Sequence, residues 1–280
     1  MFGKWKLGEL SGIGVYVHWS FWLLPAWILL SALDSSGGMT SAVVSVAFLF
    51  AMFACVVMHE FGHAFAARYF RIGTRDITLY PIGGVARLDR IPRNPWHELA
   101  IAVAGPAVNV VLAAVLLVVL ALGFGASSAL AIGPFGVSFL TGLLAVNVVL
   151  VLFNMIPAFP MDGGRVLRAF LAMSLPYARA TEIASKVGQG IAVVLGIVAL
   201  LSFQWTLLLA AIFVYFVAGA EAAMVRMQQA YTDPRPFTPF DQAVHSGNSE
   251  SVSSGEGIIW TTEVRSLDPQ TGTVRVIRYR

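Results

Sequence analysis

Apolar residues run along this chain in long blocks, with little alternation. A membrane-crossing helix needs about 20 mostly apolar residues. Six blocks approach that length: residues 17–33, 41–68, 97–123, 135–156, 186–202 and 204–226. Ser202-Phe203-Gln204-Trp205 alone separates the last two, which predicts a tight helical hairpin. Between the second and third blocks, residues 76–88 alternate weakly around Pro81, Gly83 and Gly84, as a short β-hairpin dipping into the membrane would; the alternative is an ordinary cytoplasmic loop. Such backbone is tolerated at that depth only where it lines a cavity or packs on protein. From about residue 232 to 256, Pro, Ser, Gly and Asp dominate, as in a linker. Residues 257–280 then read as two short strands around Asp268-Pro269-Gln270-Thr271-Gly272. The expected fold is an all-α polytopic membrane protein. It has six transmembrane helices in residues 1–230, a membrane-associated β-hairpin and a small tail over 231–280.

Composition agrees. Of the 280 residues 58% are hydrophobic and 12% charged, half the charge of an ordinary soluble domain. A single cysteine, Cys55, rules out an intramolecular disulfide. No cleavable signal peptide is evident around the first apolar block. The net charge of +3 reports loop topology rather than an anionic partner, and no nucleic acid is expected. All 18 basic residues fall before block one, between two and three, between four and five, or after six, counting Arg68, Lys186 and Arg226 at the block ends that border those segments. The opposite loops (34–40, 124–134 and 202–205) hold none. The positive-inside rule then predicts a multi-pass protein of the plasma membrane with both termini in the cytoplasm.

The chemistry sits in the second block. In His59-Glu60-Phe61-Gly62-His63 the two histidines are four apart, so on a helix they leave one face a turn apart. Both imidazoles can then reach one metal ion, with Glu60 at hand as general base, the HExxH arrangement of zinc proteases. Ionisable residues at membrane depth are costly and functional by default. Catalytic zinc usually takes a third protein ligand. Asp162, His97, His18 and His245 are the candidates. Asp162 follows an apolar stretch broken by Pro157 and Pro160 and is followed by Gly163 and Gly164. The prolines can turn the chain back into the bundle and the glycines permit close backbone approach. The alternative for Asp162 is a helix N-cap.

Together these motifs identify a family. HEFGHAFAARYF with NMIPAFPMDGGRVLRA resembles the site-2 protease family of intramembrane metalloproteases. GPAVN at 105–109 and GVYVHWSF at 14–21 resemble further family elements, and the similarity covers about residues 10–225. The resemblance implies one Zn2+ per chain held by His59, His63 and Asp162. It implies cleavage of transmembrane protein substrates within or beside their membrane segments, nearer the cytoplasm. It maps a substrate-holding asparagine onto Asn154. Asn109 can hydrogen-bond across the bundle or orient the site. Gly83 and Gly84 of the hairpin join these as substrate-binding or supporting positions. The chain has no room for a PDZ domain between the metal motifs, and its tail is too short for a pair of CBS modules. Regulation is therefore open to an unidentified protein. The competing reading from another class is a metal transporter or sensor that uses His59, His63 and Asp162 as a transit site.

Overall fold

The computed structural model describes residues 3–33, 38–90, 92, 94–125, 134–232, 263–267 and 274–278. The apolar blocks form helices. These are α1 (Leu23–Leu33), α2 (Gly38–Tyr69), α3 (Pro95–Gly125), α4 (Pro134–Asn154), α6 (Tyr177–Leu201) and α7 (Trp205–Thr232). A shorter helix, α5 (Asp162–Ala172), lies between α4 and α6. Among the described residues, five helices are long and apolar enough to cross a membrane: α2, α3, α4, α6 and α7.

The first block is the exception to the expected six. Its apolar helical run covers only Trp19–Ser31, about 20 Å at 1.5 Å per residue against a hydrocarbon core of about 30 Å. The residues in front of it are used otherwise. Val17 and His18 end a strand, and residues Trp19–Trp22 form a 3-10 turn in which the His18 ring accepts from the Ser20 N–H.

That strand belongs to a sheet larger than the expected hairpin. Strand β1 (Lys4–Leu10) pairs antiparallel with β2 (Ile13–His18), and β2 runs parallel to β3 (Thr74–Tyr80). β3 in turn pairs antiparallel with β4 (Gly83–Leu88) across Pro81 and Ile82. The order is β1-β2-β3-β4, which leaves β4 as an edge. The inner face of the sheet packs on α2 in two clusters. Ile13, Val15 and Ile77 meet Phe61 and Ala64, while Val17 and Leu79 meet Phe21, Leu49 and Phe53.

α6 begins nine residues before the expected boundary. It packs on α7 through small residues, among them Ala184, Ala192 and Ala218, which lets two helix backbones approach closely. Ser185 donates to the Ala218 carbonyl across this interface. Met1–Thr232 forms one compact unit and Asp233–Arg280 another. In the second, β5 (Glu263–Leu267) and β6 (Val274–Arg278) pair antiparallel, within the stretch read as two short strands. The linker, the turn at 268–272 and His245 lie outside the described residues.

Ile77 is fully buried between sheet and helix. Ile77→Ala should destabilise the fold by about 2–5 kcal/mol, read as a lower thermal unfolding midpoint in detergent.

Candidate metal centre

His59 and His63 leave the same face of α2 and are both buried. Their Nε2 atoms lie 3.1 Å apart. Asp162, the first residue of α5, places Oδ2 3.1 Å from each of them. The N-cap position belongs to Met161, without a side-chain cap, so the Asp162 carboxylate faces the histidines rather than capping its own helix. Gly163 and Gly164 make this placement feasible. A Cβ on Gly163 would stand 2.3 Å from the Ile156 carbonyl oxygen, and one on Gly164 2.7 Å from the Ala158–Phe159 peptide.

The far nitrogen of each imidazole fixes its proton. His63 Nδ1 lies 2.7 Å from the Ile101 carbonyl, which can only accept, so Nδ1 donates. His59 Nδ1 lies 2.5 Å from Asn109 Oδ1. The direction of that contact is set further out. Asn109 Nδ2 donates to Asn147 Oδ1 at 2.8 Å, and Asn147 Nδ2 donates to the Leu143 carbonyl at 2.9 Å. The chain of donors therefore begins with His59 Nδ1. In a neutral imidazole whose Nδ1 carries the hydrogen, Nε2 is a bare lone pair. Two such lone pairs and a carboxylate oxygen converge here and repel one another unless a cation lies between them.

Zinc stands about 2.0–2.2 Å from nitrogen and carboxylate oxygen, so the edges of its tetrahedron run about 3.3–3.5 Å. The 3.1 Å edges here come close to that. Among the described residues, His59, His63 and Asp162 are the group of His, Cys, Asp and Glu side chains able to hold a metal ion.

α3 supplies the support from one face, at intervals of four residues: the Ile101 carbonyl, Gly105 and Asn109. A Cβ on Gly105 would come within 2.3 Å of His63 Nε2 and 2.8 Å of His59 Nε2. In the sequence Gly105 stands out only as the first residue of GPAVN; its place beside both imidazoles needs the α2–α3 approach to be seen. Pro106, inside α3, has no N–H and interrupts the helix ladder just past Ile101 and Ala102.

Glu60 points to the other side. Its Oε2 accepts the Ala86 N–H of β4 at 3.1 Å. With His59, Gly83, Gly84 and Asn154 it lines a cavity of about 500 Å³ between α2, α4 and the β3–β4 turn. A Cβ on Gly84 would meet Glu60 Cγ at 2.9 Å, so glycine lets the strand approach the carboxylate. Asn147 and Asn154, seven residues apart, do different things: the first is buried behind His59 and the second lines the cavity.

The remaining candidates lie elsewhere. His18 sits against Ser20 and Tyr80, and His97 stacks on Phe70 at 4.1 Å. The Cys55 sulfur accepts from Asn147. Glu221 pairs with Arg168, and Arg226 pairs with Glu182.

Comparison with known proteins agrees with this geometry. The family model for Peptidase family M50 matches residues 47–136 and 127–195. The chain belongs to this family. It is 36% identical over 227 residues to the zinc metalloprotease MJ0392 of Methanocaldococcus jannaschii, covering 81% of this chain. The chain spans 62% of that relative's length. The solved structure of the site-2 protease from Methanocaldococcus jannaschii superposes with a TM-score of 0.58 at 36% identity, covering 78% of this chain and 95% of that one.

Two substitutions test the support from α3. Gly105→Ala should remove most bound metal, because its methyl occupies the space beside both Nε2 atoms. Asn109→Leu, which leaves His59 Nδ1 without an acceptor, should weaken metal affinity about 10–100-fold. Metal content and chelator competition on the purified protein read both effects.

Proposed function

We propose that this chain is a zinc-dependent endopeptidase of the plasma membrane. It would cleave transmembrane proteins within or beside their membrane segments, in regulated intramembrane proteolysis. The observation that carries the reading is the buried triangle of His59 Nε2, His63 Nε2 and Asp162 Oδ2 with Glu60 beside it on a cavity wall. The name of the Methanocaldococcus jannaschii relative, a zinc metalloprotease, supports it.

His59, His63 and Asp162 hold one zinc ion per chain. When bound, zinc supplies positive charge that polarises a carbonyl and eases proton loss from water. Glu60 takes the proton from the attacking water at Oε1, because Oε2 is held by the Ala86 N–H. It later delivers that proton to the leaving amine. Asn109 holds the His59 ring in its tautomer. Asn154 offers its amide to the substrate backbone from the cavity wall. A transmembrane helix hides its carbonyls in its own hydrogen bonds, so the substrate must be unwound locally. The edge of β4, with Gly83 and Gly84, can take the unwound segment by strand addition. A metal-transit role would leave Glu60 and its hydrogen bond to β4 without a purpose.

Residues 1–230 form the membrane metalloprotease domain and 231–280 a cytoplasmic tail. The basic residues favour cytoplasmic termini and six crossings, with the metal centre nearer the cytoplasm. In this arrangement α1 is a short sixth crossing. A helix shorter than the bilayer is accommodated by local thinning. The lipid bilayer and a transmembrane substrate are the partners, with room for an unidentified regulatory protein.

Glu60→Gln tests the reading. Cleavage of a reconstituted substrate should fall by about 10²–10⁴-fold, with zinc content unchanged. Wild-type turnover in that variant contradicts the mechanism.

A further inference from the structure

Arg168 is a cation that the cleavage chemistry does not use, yet it is buried at 2% exposure. Its Nε and Nη2 donate to Glu98 Oε1 at 2.8 and 2.5 Å, and its Nη1 donates to Glu221 Oε1 at 2.6 Å. The guanidinium also lies 5.0 Å from the Phe159 ring centre and 5.1 Å from that of Tyr177. One side chain on α5 thus reaches α3, α6, α7 and the Pro-rich segment before α5. Burying an ion cluster is a poor way to gain stability, because lost hydration offsets the attraction. What such a cluster supplies is fixed geometry, here through a planar fork with set donor directions.

The geometry it fixes is that of Asp162. Asp162 is the ligand candidate that does not come from α2, so its distance from the histidines depends on where α5 lies. The guanidinium holds both flanks of Asp162: Phe159, three residues before it, and α5 itself, six residues after it. Its partner Glu98 stands three residues before Ile101, whose carbonyl orients His63. The cluster therefore ties the helix that carries the carboxylate to the helix that aims the imidazoles, and Glu221 adds α7 to the same frame.

We propose that Arg168 is the positioning residue of Asp162, holding α5 at the separation the metal centre requires through Glu98 and Glu221. This rests on His59, His63 and Asp162 being metal ligands.

The test uses the full-length chain in detergent, as wild type, Arg168→Lys and Glu221→Gln. Zinc affinity is measured by competition with a chromophoric chelator, and the thermal midpoint alongside it. Lysine keeps the charge and loses the fork. Arg168→Lys should bind zinc about 10–100-fold more weakly in its folded state, and Glu221→Gln should shift in the same direction by less. A role confined to stability would lower the midpoint and leave the zinc affinity at the wild-type value; that result in both variants overturns the proposal. If Arg168→Lys does not fold, Glu221→Gln decides, since its side chain lies at the partly exposed rim of the cluster. A wild-type chain that takes up no zinc overturns the metal-centre reading itself, and this inference with it.

Discussion

Three lone pairs at 3.1 Å from one another, enclosed by apolar helices, are a repulsive arrangement that a cation turns into an attractive one. Much of the fold around them is needed to keep them facing one another. Two come from one helix turn and are fixed by spacing alone. Their protons are a separate matter, settled by the Ile101 carbonyl and by the relay through Asn109 and Asn147 to Leu143. The third arrives from about a hundred residues later, on a helix whose first turn can enter only because Gly163 and Gly164 have no side chain. Supporting groups that orient metal ligands commonly matter almost as much as the ligands themselves. Here the groups that orient the imidazoles lie on α3 and α4, helices that contribute none of the three side chains.

The sheet has a complementary place. It buries one face on α2, the helix of the histidines, through Ile13, Val15, Val17, Ile77 and Leu79. Its last strand then stands beside Glu60, close enough for a backbone N–H to hold one carboxylate oxygen. Among the described residues, no further strand pairs with β4 beyond β3. The Glu60 carboxylate, the cavity and the strand edge are thus brought together by a single packing interface between sheet and helix.

Much of this was legible in the chain. HEFGH at helical spacing, the apolar blocks of α2 to α4, α6 and α7, and Asp162 between breakers and glycines were all readable, because each is a local pattern. What escaped was set by distant neighbours. Val17 and His18 look like the start of an apolar helix until β1 and, sixty residues on, β3 are there to pair with them. With those residues drawn into a strand, α1 is left short. Gly105 reads only as the first residue of GPAVN, since its conflict with two imidazoles exists only once α2 and α3 approach. Arg168 counts as one more basic residue of a cytoplasmic loop by position, and its burial follows from Glu98 and Glu221, seventy and fifty-three residues away.

The central claim is that two imidazoles and one carboxylate, with no sulfur, hold a zinc ion. Zinc-edge X-ray absorption on the purified full-length protein tests it most directly. The account predicts a first shell of nitrogen and oxygen at about 2.0–2.1 Å, with outer scattering from two imidazole rings, in a sample carrying one zinc per chain. A sulfur shell near about 2.3 Å, or scattering from more than two imidazoles, would contradict it.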